Sequence, residues 1–147
     1  MRVHDIMTRD VATCGRTADL ASAALQMKEF DCGFLPVIDP RGHVAGVVTD
    51  RDIMLTLADT RRPAHRVSVE EAMSGHVYGV SPSDDVTAAL ELMKTRQVRR
   101  LPVMDASGLL MGVVSLNDII LRAEIDAPAI VRALEGISAH AHVTAPA

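Results

Sequence analysis

"GVVTDRDIM" (residues 46–54) returns later in the chain as "GVVSLNDII" (residues 112–120). In both, a glycine and two valines precede a hydroxyl residue, two variable positions, an aspartate and an isoleucine. An apolar run that ends in a hydroxyl, with an aspartate three residues on and an isoleucine after it, reads as a strand running into a helix. The hydroxyl then stands at the helix start, with the aspartate in its first turn.

Working outward from this stretch, a shift of 66 positions aligns residues 3–57 with 69–123 without a gap. Val3, Met7, Val11, Asp19, Ala23 and Met27 recur as Val69, Met73, Val77, Asp85, Ala89 and Met93, and "LPVID" (35–39) recurs as "LPVMD" (101–105). Similarity spread over the whole unit marks a duplication. Each unit predicts a short helical start, a β-prone piece ("VAT", "VYGV"), an amphipathic helix, two strands joined by a turn, and a final helix. The expected fold is therefore α+β, two tandem β-α-β-β-α repeats packed about a pseudo-two-fold axis. A unit of roughly 60 residues buries only about 60% of the surface its unfolded chain exposes, so each needs the other. The boundaries read as repeat 1 over 1–58, a polar linker over 59–68, repeat 2 over 69–123, and a helix with a tail over 124–147.

The repeated Thr/Ser-x-x-Asp supports two readings. As a capping box, the hydroxyl accepts a backbone N–H while the acid reaches back to the cap. As a ligand site, the same helix start offers free N–H groups and a positive dipole to a phosphate. A carboxylate there is a poor phosphate neighbour but a good acceptor for the two hydroxyls of a ribose. Thr49 with Asp52, and Ser115 with Asp118, would each serve one sugar-phosphate, with Arg51 adding charge to the first.

Composition narrows the function. Apolar residues make up 48% and charged residues 23%, which suits a folded chain. The net charge of -4 and an aromatic content of 2% disfavour nucleic acid, despite the basic stretches "RRPAHR" and "RQVRR". No P-loop, G-x-S-x-G or H-E-x-x-H is present, so catalysis is not expected. The six histidines, His140 and His142 among them, have no zinc-site spacing, and the repeated methionines read as core. Cys14 and Cys32 read as inert thiols. With no apolar leader in "MRVHDIMTRD" and no membrane-length run, the expected location is cytoplasmic.

Two copies of a unit that carries "LPV" and "G-V-V-[ST]-x-x-D-I" resemble a pair of CBS domains (a Bateman module), over residues 1–123. That resemblance implies a regulatory sensor with two clefts for adenosine ligands: AMP, ADP, ATP, S-adenosylmethionine or NAD. No cofactor is implied beyond that regulatory ligand. It places phosphate on Thr49 and Ser115 and ribose on Asp52 and Asp118. It places the base near Val11, Thr13, Cys32, Gly33, Phe34 and Pro36 in one cleft. In the other the positions are Val77, Gly79, Val98, Arg99, Arg100 and Pro102. Arg99 and Arg100, adjacent in a strand, are expected to point to opposite faces. The implied partners are a second copy, paired through the helices starting near Val3 and Val86, and an unidentified regulated protein. A ligand-independent dimerisation module, with the motifs as caps only, is the alternative.

Overall fold

Asp19 and Asp85 hold the same repeat position, and each starts an amphipathic helix by accepting a backbone N–H on its carboxylate. The donors are Ser22 and Thr87, both at 2.9 Å. These bonds favour the ionised acid. Asp19 is lowered chiefly by the Ser22 backbone N–H, and Asp85 chiefly by the Thr87 hydroxyl. The computed structural model describes residues 1–139, so the expectation about His140 and His142 lies outside the described residues.

The order of elements is α1 (Val3–Ile6), α2 (Leu20–Glu29), β1 (Phe34–Ile38), β2 (Val44–Thr49), α3 (Asp50–Thr60), α4 (Val69–Ala72), α5 (Val86–Arg96), β3 (Arg100–Met104), β4 (Leu110–Ser115), α6 (Leu116–Arg122) and α7 (Ala127–Ser138). β1 pairs with β2 and β3 with β4, so the fold is mixed α+β with two small sheets. In the first sheet Phe34 faces Thr49 and Val37 faces Gly46 in an antiparallel register. The β-prone piece that opens each repeat is reduced to one parallel bridge, Cys14 to Val37 and Val80 to Val103. Turns begin directly after these residues, at Arg16 and Pro82, so no second ladder rung forms.

Packing does not follow the repeat boundaries. One unit gathers Asp10–Val77 with Met104–Leu110; the other gathers Met1–Arg9, Tyr78–Val103 and, among the described residues, 111–139. They are called here the Thr49 unit and the Ser115 unit. The opening helix of each repeat has moved to the other repeat's core. Val3 and Ile6 pack with Val86, Met93 and Ile119, whereas Val69 packs with Leu20, Leu35 and Val48. A four-residue helix has no core of its own. Each one instead hydrogen-bonds the residues that lead into an amphipathic helix: Val3 N–H donates to Asp84 at 2.9 Å and Val69 N–H to Ala18 at 2.8 Å. Residues 59–68 take part in this, because Val67 is fully buried and its carbonyl accepts from Leu20.

The glycine that opens the quoted motif has a direct cause. After α4 the backbone of Ser74 pairs with Val47 on β2, and after α1 that of Thr8 pairs with Val113 on β4. A Cβ on Gly46 would lie 2.6 Å from the Ser74 carbonyl oxygen, and one on Gly112 would lie 2.5 Å from that of Thr8. Only glycine lets the two backbones approach so closely.

Candidate functional site

In the Thr49 unit, α2 ends in a left-handed residue, Asp31 (φ 48), and the Cys32 N–H returns to the Met27 carbonyl at 2.9 Å. This reversal sends Cys32, Gly33 and Phe34 back beside the end of β2. Phe34 pairs with Thr49, and the Asp50 N–H donates to the Gly33 carbonyl at 3.1 Å. The structure therefore brings Cys32–Phe34 against Thr49, Arg51 and Asp52. Val11 and Thr13 precede Cys14, which lies along the opposite edge of β1 with its N–H on the Pro36 carbonyl at 3.1 Å. Val77 follows Ser74 in the same unit, half-buried.

The capping box is complete. Thr49 Oγ1 accepts from the Asp52 N–H at 3.1 Å, and Asp52 Oδ2 accepts from the Thr49 N–H at 2.9 Å. Among the described residues no hydrogen bond reaches Asp52 Oδ1, and the Thr49 hydroxyl makes no donor contact. Half of the carboxylate and the hydroxyl proton remain available. Arg51 is exposed. Asp50, missed from the sequence, lies against Gly33: a Cβ on that glycine would sit 2.6 Å from Asp50 Oδ2. The site thus holds two carboxylates and one guanidinium.

The Ser115 unit repeats the plan with different charges. Gln97 (φ 55) replaces Asp31 as the left-handed residue, and Val98 N–H donates to Met93 at 3.0 Å. The Leu116 N–H donates to the Arg99 carbonyl at 2.9 Å, so Val98, Arg99 and Arg100 come beside Ser115 and Asp118. Both arginines are exposed. Pro102 is buried in β3, and its carbonyl takes the N–H of Val80, the residue after Gly79. Asp118 is more committed than Asp52. Its Oδ2 accepts from the Ser115 N–H at 2.9 Å and hydroxyl at 2.5 Å, and its Oδ1 pairs with Arg122 at 3.3 Å. Arg122 also donates to the Ile6 carbonyl at 2.9 Å.

The remaining candidates are mostly accounted for by packing. Cys14 is buried, and burial pushes its thiol up to about 11, so it stays protonated at neutral pH. Met7, Met27 and Met93 are buried and Met73 packs against the same core as Met27. The basic stretches are partly engaged: Arg62 pairs with Glu71 at 2.7 Å, and Arg96 stacks on Tyr78 at 4.5 Å. Among the described residues, no three His, Cys, Asp or Glu side chains gather as a metal site. No described helix is long and apolar enough to cross a membrane.

Residues 3–59 and 69–124 each match the family model of the CBS domain. The chain is 36% identical over 117 residues to the CBS domain-containing protein YhcV of Bacillus subtilis, covering 80% of this chain and 81% of that one. The crystal structure of Hypoxic Response Protein I, which has two coordinated zinc ions, superposes with a TM-score of 0.76 at 30% identity, over 83% of this chain and 98% of that one. That of CBSX2 in complex with AMP superposes with a TM-score of 0.72 at 26% identity, over 81% and 93%.

Proposed function

The chain belongs to the CBS-domain family, and from that premise we propose that it is a regulatory module that senses adenosine ligands at Thr49–Asp52 and Ser115–Asp118. The relatives it matches over most of their own length include the CBS domain-containing protein YhcV. The observation that carries the reading is the half-used Asp52: its cap bond consumes Oδ2 and, among the described residues, leaves Oδ1 without a hydrogen bond, at the helix start where Thr49 pairs with Phe34. A vicinal diol donates two hydrogen bonds, and an open carboxylate oxygen is the matching acceptor. AMP bound to CBSX2 supports an adenosine ligand for this chain.

Charge divides the ligands between the sites. Asp50 and Asp52 outnumber Arg51 at the first, which suits the cationic S-adenosylmethionine best and, among the nucleotides, AMP with its single phosphate ahead of ADP or ATP. Arg99 and Arg100 outnumber Asp118 at the second, which suits a di- or triphosphate. The module is also expected to form a homodimer and to act on a further protein from the cytoplasm. Val3 and Val86 themselves are buried, so a dimer contact through the helices they open would use the exposed faces of those helices; exposed Leu121, Val131 and Leu134 are also available.

Calorimetry with AMP, ADP, ATP, S-adenosylmethionine and NAD tests this. Binding by the parent, weakened about tenfold or more by Asp52→Glu at one site, is the expected result; that loss is about 1.4 kcal/mol. The complete capping boxes are the observation behind the second, purely structural reading. No heat with any of the five ligands would leave that reading standing.

A further inference from the structure

In the Ser115 unit, α7 lies along α5 and touches the two segments that build the site. On one side, Asp118 stands in the first turn of α6, and the next residue, Ile119, is fully buried. Ile119 shares its core with Ala133 and Ile137 of α7. On the other side, Gln97 makes the left-handed reversal (φ 55) that leads from α5 to Val98, Arg99 and Arg100. Its side-chain amide donates to the Gly136 carbonyl of α7 at 3.3 Å, and Val98 packs against the same core as Ala133. The approach is close: a Cβ on Gly136 would run into the stem of Lys94. The Thr49 unit is built differently. There the chain that leaves α3 runs through Ala64–Arg66 into α4, and Asp31 stands in place of Gln97 with a side chain that only accepts.

We propose that α7 is the responding element of the Ser115 site: a nucleotide di- or triphosphate held by Arg99 and Arg100 tightens α7 against α5. The inference rests on the adenosine-ligand reading of that site. Two exposed arginines must be ordered to grip a phosphate chain, and a loop already fixed at Gln97 and Val98 loses less freedom in doing so. Docked α7 supplies that fixing, so the docked state binds the ligand better. Linkage makes the effect mutual, and the ligand strengthens the docking of α7 by the same factor. The hold of α7 is light enough to respond. Its buried side chains are Ala133 and Ile137, while Val131 and Leu134 are exposed. A helix anchored in this way opens before the core it covers.

Hydrogen exchange of the full chain, read at the α7 amides with and without ATP, tests this, with calorimetry reporting whether ATP binds. Without ATP the α7 amides should exchange faster than those of α5, and saturating ATP should slow them about threefold or more. Gln97→Met keeps the length of the side chain and removes the donor. It should speed α7 exchange without ATP and abolish most of the slowing. Ala133→Asp puts a charge into the buried contact and detaches α7. It should weaken ATP about threefold or more and leave S-adenosylmethionine at the Thr49 site within about twofold. ATP heat with unchanged or faster α7 exchange overturns this inference and leaves the adenosine reading in place. So does slowing that Gln97→Met leaves intact. So does exchange of α7 in step with α5, which makes α7 part of the core. No heat with ATP removes the adenosine reading of this site, and the inference with it.

Discussion

The ends of β2 and β4 are built alike and charged in opposite senses. Each runs past a glycine into a hydroxyl cap, with an aspartate closing the capping box. Around Thr49 the neighbours are Asp50, Arg51, Gly33 and Phe34; around Ser115 they are Leu116, Asn117, Arg99 and Arg100. The scaffold is therefore shared while the chemistry around the two caps has diverged. A duplicated fold keeps what packing requires and leaves the exposed positions free to differ.

The shared part should break first. Gly46→Val and Gly112→Val each force a side chain into a backbone carbonyl that already stands at contact distance. Each should cost about 3 kcal/mol, the upper range for overpacking, read from urea denaturation. If one is tolerated within about 0.5 kcal/mol, as an ordinary surface change would be, the two crossings are not equivalent.

The divergent part should separate by ligand. Arg99→Gln with Arg100→Gln should weaken ATP at least tenfold, about 1.4 kcal/mol, and leave AMP within about twofold. Higher salt should act on ATP in the same direction, because exposed charges are screened. Equal losses for both nucleotides would remove the distinction between the sites.

Acid should treat the halves alike. Asp19 and Asp85 have folded pKa values lowered by cap hydrogen bonds, the first chiefly by Ser22 N–H and the second chiefly by the Thr87 hydroxyl. Their contribution is full above the ordinary aspartate range and is lost as the pH falls through the lowered folded values. Melting temperature should drop over that interval. Asp19→Ala and Asp85→Ala should each flatten the drop to a similar degree, and a flattening confined to one variant would show unequal caps.

The repeat made most of this legible. Helices, hairpins and both capping boxes could be read from period and spacing, since local chemistry sets them. Two features could not. The exchange of Val3 and Val69 between cores depends on which unit each opening helix meets, and the identical sequence positions say nothing of that. Asp50 was passed over because its role arises from β1 pairing, which places Gly33 beneath its carboxylate. For Arg99 and Arg100 the premise of strand alternation is not met, since Arg99 precedes the strand that Arg100 begins; both side chains are exposed.

The smallest expected effect tests why Asp118 is the more occupied carboxylate. Arg122, 54% exposed, ties up Asp118 Oδ1 at 3.3 Å, whereas among the described residues Asp52 has no such partner, since Thr56 occupies the position four residues after it. In Arg122→Met the stem's apolar contacts are kept while the charge is lost. An exposed ion pair contributes about 0.2–1 kcal/mol, so stability should fall by no more than about 1 kcal/mol, including the bond to Ile6. Asp118 Oδ1 then becomes as open as Asp52 Oδ1. AMP affinity at the Ser115 site should rise about threefold, near 0.65 kcal/mol. Calorimetry in an Asp52→Glu background isolates that site. A fall in affinity instead would mean that Arg122 contacts the ligand itself, and the asymmetry between the two aspartates would have to be read as recruitment rather than competition.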